Sequence, residues 1–340
     1  MIKEAIALLV QGENLSQEDS AQVMNEIMNN DATEAQIGSF VTALRMKGET
    51  VQEITGMAQT MREKSLKVSI SLQNNKLVDT AGTGGDGQNT MNVSTAAAIV
   101  ASAAGAKVAK HGNRAVSSMC GSADILEAVG VKVDLSPDGV TRCIDEVGLG
   151  FMFAPIFHPA MRYAAAPRRD IGIRTVFNIL GPLTNPANAD AQVLGVADST
   201  FGDLMAKSLA LLGTQRAMVV HGNDGMDELS ITGATSIWEL SYGEISSYNI
   251  VPEDVNMERA DLKDLQGGSL ERNLDLFNSV LQGVPSPALE IVVLNAAATL
   301  VVAEKADDLS DGVVLARDAI VSGAADEKIR AFATLSQKLS

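Results

Sequence analysis

The chain has 340 residues, 46% of them hydrophobic, and a formal net charge of -16. Such a length and apolar content allow one large domain plus a smaller one around a sizeable core. The acidic balance excludes nucleic acid and anionic membrane as general partners, since both reward a basic face.

The opening MIKEAIALLVQGENL carries acidic residues and an amphipathic period in place of a signal peptide's apolar centre, and no apolar run reaches the roughly eighteen residues of a membrane helix. The two cysteines, Cys120 and Cys143, form no ligand or disulfide pattern. Reduced thiols and a cytoplasmic location are expected. Helices are predicted near residues 3–11, 17–29, 34–47 and 51–64, the last three behind capping boxes of Ser16 with Asp19, Thr33 with Gln36 and Thr50 with Glu53. Met24, Ile27 and Met28, then Ile37, Phe40, Val41 and Leu44, recur at helical spacing and read as packing faces. A block this small buries little alone, so it is expected to pack against a later helical segment or a second subunit.

From Lys76 the pattern turns to strands alternating with helices, with strands predicted at 76–79, 107–109, 131–134, 150–153, 192–196 and 216–220. That alternation predicts an α/β fold with a central, largely parallel sheet. After the first strand, Gly82, Gly84, Gly85 and Gly87 suit a turn with positive φ and close approach to a ligand. Asn92, Ser94 and Thr95 then open an apolar helix, Ala96 to Ala104, whose positive dipole end faces the same spot. The spacing fits neither a P-loop nor a dinucleotide G-x-G-x-x-G. Asp86 inside such a turn points to a bridging cation or to sugar hydroxyls, as on a ribose carrying phosphates at both ends.

Lys110, His111, Asn113 and Arg114 follow the second strand, where ligands of open α/β sheets sit. Ser117, Ser118, Gly121 and Ser122 add hydroxyls and N–H groups, with Ser122 placed to cap a helix at 123–128 as a second anion-ready helix end. Ser136 and Pro137 start a helix that ends at Gly148. Between 154 and 190 the strands stop, and prolines 155, 159, 167, 182 and 186 punctuate short helices. This segment reads as a return to the first helical block, giving a helical domain of 1–70 joined by roughly 158–188 and an α/β domain of 71–157 and 189–340. A ligand cleft between them follows. Strands near 235–240 and 245–251 come next, then helices near 270–282, 287–303, 308–321 and 326–338. Glu290 to Val302 is almost wholly apolar and reads as a buried helix on the sheet.

Asp227 and Glu228, after a strand and a Gly-Asn-Asp-Gly turn, present adjacent carboxylates from a loop; taken alone, such a pair is a solvated acidic turn. Beside a diphosphate the same oxygens suit Mg²⁺.

The runs AGTGGDGQNTMNVST, KHGNRAVSS, GSADILEAVGV, HPAMRYAAAPRRDIGIRTVFNILGPLTNPA and VVHGNDGMDELS, in that order and spacing, resemble the anthranilate phosphoribosyltransferase family over nearly the whole chain. The resemblance implies Mg²⁺-dependent transfer of the phosphoribosyl group of phosphoribosyl pyrophosphate to the amine of anthranilate, in tryptophan biosynthesis, by a homodimer joined through the helical domain. It implies two magnesium ions held by Asp227 and Glu228, with Ser94 completing one shell. Phosphoribosyl pyrophosphate would lie against Gly82, Thr83, Gly84, Gly85 and Asp86, then Thr90, Asn92, Val93, Ser94 and Thr95. Beyond these it would meet Lys110, His111, Gly112, Asn113, Arg114, Ser118 and Cys120, with Lys110 and Arg114 steadying phosphate or transition-state charge. Anthranilate would meet Gly82, Asn113, His158, Gly181 and Pro182, with Arg168 on its carboxylate; Arg169 and Arg174 read as solvated or structural. Two rival readings are a pyrimidine nucleoside phosphorylase-like enzyme, which would not need GTGGD plus the acidic pair, and a non-catalytic nucleic-acid-binding relative, which the acidic balance opposes.

Overall fold

The computed structural model describes residues 1–70, 75–115 and 119–339. Four helices open the chain: α1 (Ile2–Val10), α2 (Gln17–Met28), α3 (Glu34–Lys47) and α4 (Val51–Lys64). Thr33 with Gln36 and Thr50 with Glu53 form reciprocal capping boxes, whereas Ser16 only accepts from the Asp19 N–H. Asp19 accepts from the Ser16 hydroxyl instead of the Ser16 backbone. Glu53 does more than cap: fully buried, it also accepts from the Leu15 N–H at 2.9 Å and pairs with Lys47 at 2.9 Å.

The α/β region then runs β1 (Leu77–Gly82), α5 (Val93–Ala103), β2 (Lys107–Gly112), α6 (Ser122–Ala128), α7 (Pro137–Val147), β3 (Leu149–Phe153) and α8 (Ala154–Phe157). Helices α9 (Arg162–Ile171) and α10 (Phe177–Leu180) interrupt it before β4 (Ala191–Gly195), α11 (Gly202–Leu211), β5 (Arg216–Gly222), β6 (Thr235–Ser241) and β7 (Glu244–Ile250). Four helices close the chain: α12 (Leu270–Leu281), α13 (Pro287–Val302), α14 (Leu309–Val321) and α15 (Ala324–Ser336). The strands form one sheet in the order β3-β2-β1-β4-β5-β6-β7, parallel through β5 and antiparallel beyond it.

The predicted strand at 131–134 is absent. Val131, Val133 and Leu135 do alternate inward, but residues 131–136 lie in no sheet. Their partner is α15, whose Ser336 hydroxyl accepts from the Lys132 N–H at 2.9 Å, so the period of two reflects packing on a helix. β2 is longer than predicted, which puts Lys110 and His111 on the strand itself.

Successive residues of the central strands face different cores, as the pleat requires. Val193, Met218 and Val220 join the core under α5 and α13, while Leu194, Ala217 and Val219 join a second core with α1–α4, α9, α10 and α11. The opening helices therefore pack both on a later helical segment and on the sheet. Half-buried Arg62 fastens α4 to this arrangement, donating to the Leu183 carbonyl at 2.7 Å and the Leu212 carbonyl at 3.1 Å. α13 is apolar on every side and packs against α5 and α14. Among the described residues, no helix is long and apolar enough to cross a membrane.

Candidate active site

The strand order reverses between β1 and β4, and a cleft of about 900 Å³ opens at their carboxyl ends, the place where open α/β sheets hold ligands. Its floor is the turn after β1. Gly84, Gly85 and Gly87 adopt φ of 62°, 72° and 73°, which explains glycine there. Gly82 serves a different need from the one its sequence context suggests: a Cβ on it would lie 2.3 Å from Asp227 Oδ2. Gly195, beside it on β4, has the Asp227 carbonyl 1.6 Å from its own absent Cβ. These two strand ends thus let the Asp227 loop lie on the sheet, and the Gly84 N–H donates to Asp227 Oδ2 at 2.8 Å.

The carboxylates gather under strain of charge. Burial, then the Asp86 charge, pushes Asp227 up to about 6, and burial followed by Asp227 raises Glu228 well above the usual carboxylate range. Asp86 is raised too, chiefly by burial. Glu228 accepts a backbone hydrogen bond from Ser94 in the first turn of α5, so a carboxylate of the protein sits at that positive helix end. Lys110 is buried beneath them, donating to the Thr80 carbonyl and, at 3.2 Å, to Ser94 Oγ. Burial lowers its pKa while Asp79, Glu228 and Asp227 oppose the shift.

At the other end stand two histidines. The His111 and His158 rings lie 5.0 Å apart, only 7% and 6% exposed, and among the described residues neither Nε2 has a partner. Burial carries His111 down to about 3, with His158 adding to the effect, and His158 down to about 4. Both rings are therefore neutral in ordinary buffers. Half-buried Arg168 reaches over the Phe177 ring, 5.2 Å from its centroid, and supplies a cation beside Gly181 and Pro182.

Two family models divide the chain: the glycosyl transferase family helical bundle domain matches residues 3–65, and the glycosyl transferase family a/b domain matches 74–326. An anthranilate phosphoribosyltransferase of Dehalococcoides mccartyi is 52% identical, with 100% of this chain and 99% of the relative aligned. The Moorella thermoacetica enzyme of that name is 53% identical over 98% of this chain and 97% of its own. The crystal structure of the anthranilate phosphoribosyltransferase from Thermus thermophilus superposes with a TM-score of 0.92 at 42% identity, covering 98% of this chain and 99% of that one. That from Saccharomyces cerevisiae, in complex with PRPP and Mg, gives 0.91 at 28% identity, covering 99% and 98%. The chain belongs to the anthranilate phosphoribosyltransferase family.

Most residues that the sequence motifs nominate for this family's site line the one cleft: Gly82 to Asp86, Thr90, Asn92 to Ser94, Lys110 to Arg114, Cys120, His158, Arg168, Gly181, Pro182, Asp227 and Glu228. Thr95 does not: it is buried, and among the described residues its hydroxyl has no hydrogen-bond partner. Ser117 and Ser118 lie outside the described residues. Ser122 is the first residue of α6 and not its cap, though it and Gly121 line the cleft. Asp124 already occupies that end, accepting from Gly121 N–H at 2.8 Å and Ala115 N–H at 3.0 Å. Arg114 is spoken for on the outer wall, bound to Glu127 at 2.7 Å and Asp124 at 3.0 Å. Sequence reasoning missed Met61, Phe177, Asn178 and Thr184 in the cleft wall. Met61 carries no signal at all; it arrives from α4 only because the helical lobe folds over the sheet.

Proposed function

We propose that this protein transfers the phosphoribosyl group of phosphoribosyl pyrophosphate to the amine of anthranilate, releasing pyrophosphate in tryptophan biosynthesis. The observation that carries this reading is the two-ended cleft, with a glycine turn, a helix start and paired carboxylates at one end and neutral rings plus a guanidinium at the other. A diphosphate fits the first end through turn N–H groups. A flat aromatic carboxylate fits the second, its ring beside His111, His158 and Pro182 and its charge on Arg168.

The donor set suits magnesium. Among the described residues no three His, Cys, Asp or Glu side chains converge on one point, so the protein offers two or three hard oxygens and leaves the remaining positions to substrate and water. Two ions are part of the proposal, held by Asp227 and Glu228 with Ser94 on one. When bound, magnesium offsets the charge of the diphosphate and acts as a Lewis acid toward the leaving oxygen.

In the reaction, the C1–oxygen bond breaks with its electron pair going to pyrophosphate, and the amine lone pair forms the C1–nitrogen bond. The nitrogen then gives up a proton. The protein's task is to position the two substrates across C1 and to hold developing charge, which needs no covalent nucleophile. Lys110 places its buried amino group behind the carboxylates, donating to Ser94 and Thr80. The reading extends to a cytoplasmic homodimer joined through the helical lobe, formed by residues 1–70 and roughly 158–188, against an α/β lobe of 71–157 and 189–340.

Mixing the protein with anthranilate, phosphoribosyl pyrophosphate and Mg²⁺ is expected to remove anthranilate fluorescence with turnover. An unchanged signal beside an active control enzyme would discard the reading, and phosphate-dependent release of base from uridine would favour the nucleoside phosphorylase instead.

A further inference from the structure

We propose that Arg174 is a positioning residue that aims the glycine turn at the diphosphate, a role that rests on the phosphoribosyl reading above. Arg174 comes from the helical side of the cleft and crosses to the turn after β1. Its Nη2 donates to the Gly84 carbonyl at 2.8 Å and the Thr83 carbonyl at 3.3 Å.

A peptide plane is rigid, so gripping its carbonyl fixes the direction of the N–H on the other side. The Thr83 carbonyl shares a plane with the Gly84 N–H, whose far end is already held by Asp227. The Gly84 carbonyl shares one with the Gly85 N–H, which among the described residues meets no acceptor and lines the cleft. Arg174 thus holds the closed side of two successive planes and leaves an N–H open to an anion.

The sequence around both partners is shaped for this contact. A Cβ on Gly85 would lie 1.5 Å from Arg174 Nη1, so the guanidinium occupies the space that any other residue at 85 would fill. The arginine's own backbone is pinned on both flanks: Gly172 ends α9 with φ of 68°, and the Thr175 N–H donates to Asn178 Oδ1 at 2.9 Å. A guanidinium holds its donors in one rigid plane, whereas an ammonium on a flexible stem does not fix their direction.

The test is calorimetric titration of inorganic pyrophosphate with Mg²⁺ into the wild type, Arg174→Ala, Arg174→Lys and Gly85→Ala, alongside KM for both substrates and thermal midpoints. Arg174→Ala is expected to weaken pyrophosphate binding about tenfold and to raise the KM for phosphoribosyl pyrophosphate similarly. Its anthranilate KM and kcat stay within about twofold, and its thermal midpoint matches the wild type. Gly85→Ala, which evicts the guanidinium from the other side, is expected to weaken pyrophosphate binding similarly but to lower the thermal midpoint as well, because a side chain is strained at its φ of 72°, and Arg174→Lys recovers part of the loss. Wild-type pyrophosphate affinity in Arg174→Ala, or equal losses for both substrates, would overturn the clamp. Absence of binding by the wild type would overturn the phosphoribosyl reading and the clamp with it.

Discussion

At the β1 end of the cleft most lining groups are near neighbours in sequence, Gly82 to Ser94, joined by Asp227 and Glu228, whereas the far wall is drawn from α4, α9, α10, the β2 end and the residues after α8. The first end works through backbone N–H groups, a helix terminus and carboxylates crowded enough that Asp227 is pushed up to about 6. The second works through shape and burial, with two neutral imidazoles and the Arg168 guanidinium over the Phe177 ring. A site that stores uncompensated negative charge is built to receive cations with its ligand, and a site kept dry is built to receive a ring.

That contrast breaks or sharpens under substitution. The largest effect is expected at the charged end: Asp227→Asn together with Glu228→Gln should cut turnover on the order of a thousandfold at limiting Mg²⁺, and near-normal rates in a magnesium titration would erase the difference between the ends. Arg168→Ala should act on one substrate alone, raising the anthranilate KM about thirtyfold through loss of a charge-assisted contact while the KM for phosphoribosyl pyrophosphate holds. Equal changes in both would mean that the two ends are not separate.

A smaller effect tests the dryness of the far wall. The folded pKa of His158 is depressed to about 4 from 6.5 by burial. Between those values the unfolded chain binds a proton that the folded one refuses, so this contribution is present above pH 6.5 and is lost as pH falls toward 4. The slope is at most about 1.4 kcal/mol per pH unit for one group. His158→Asn should flatten denaturant midpoints measured from pH 6.5 to 4, and an unchanged slope would show that the ring is wetter than its surroundings indicate.

The same contrast governs how much could be read from residues alone. Gly84, Gly85, Asp86 and Ser94 announce themselves because a turn and a helix start are local events with local rules. The alternation of strands and helices was legible for the same reason. The exception, 131–134, shows that a period of two reports one buried side without naming the surface that buries it. Asp227 and Glu228 were ambiguous as a bare acidic pair, since nothing nearby in sequence states that Gly82 and Gly195 lack the atoms that would keep their loop away. Arg174 read as solvated or structural; it is exposed, yet its guanidinium lies on the Thr83 and Gly84 carbonyls some ninety residues back in the chain. Met61 was out of reach altogether.

The helix α13, without a wet side, carries a consequence for biosynthesis. Every strand has left the ribosome by Ile250, yet the helix that shields one side of them spans Pro287–Val302. Until that point emerges, a nascent chain shows water a broad greasy plane, so an early stop codon in this stretch would yield aggregate or a chaperone client instead of a smaller working enzyme.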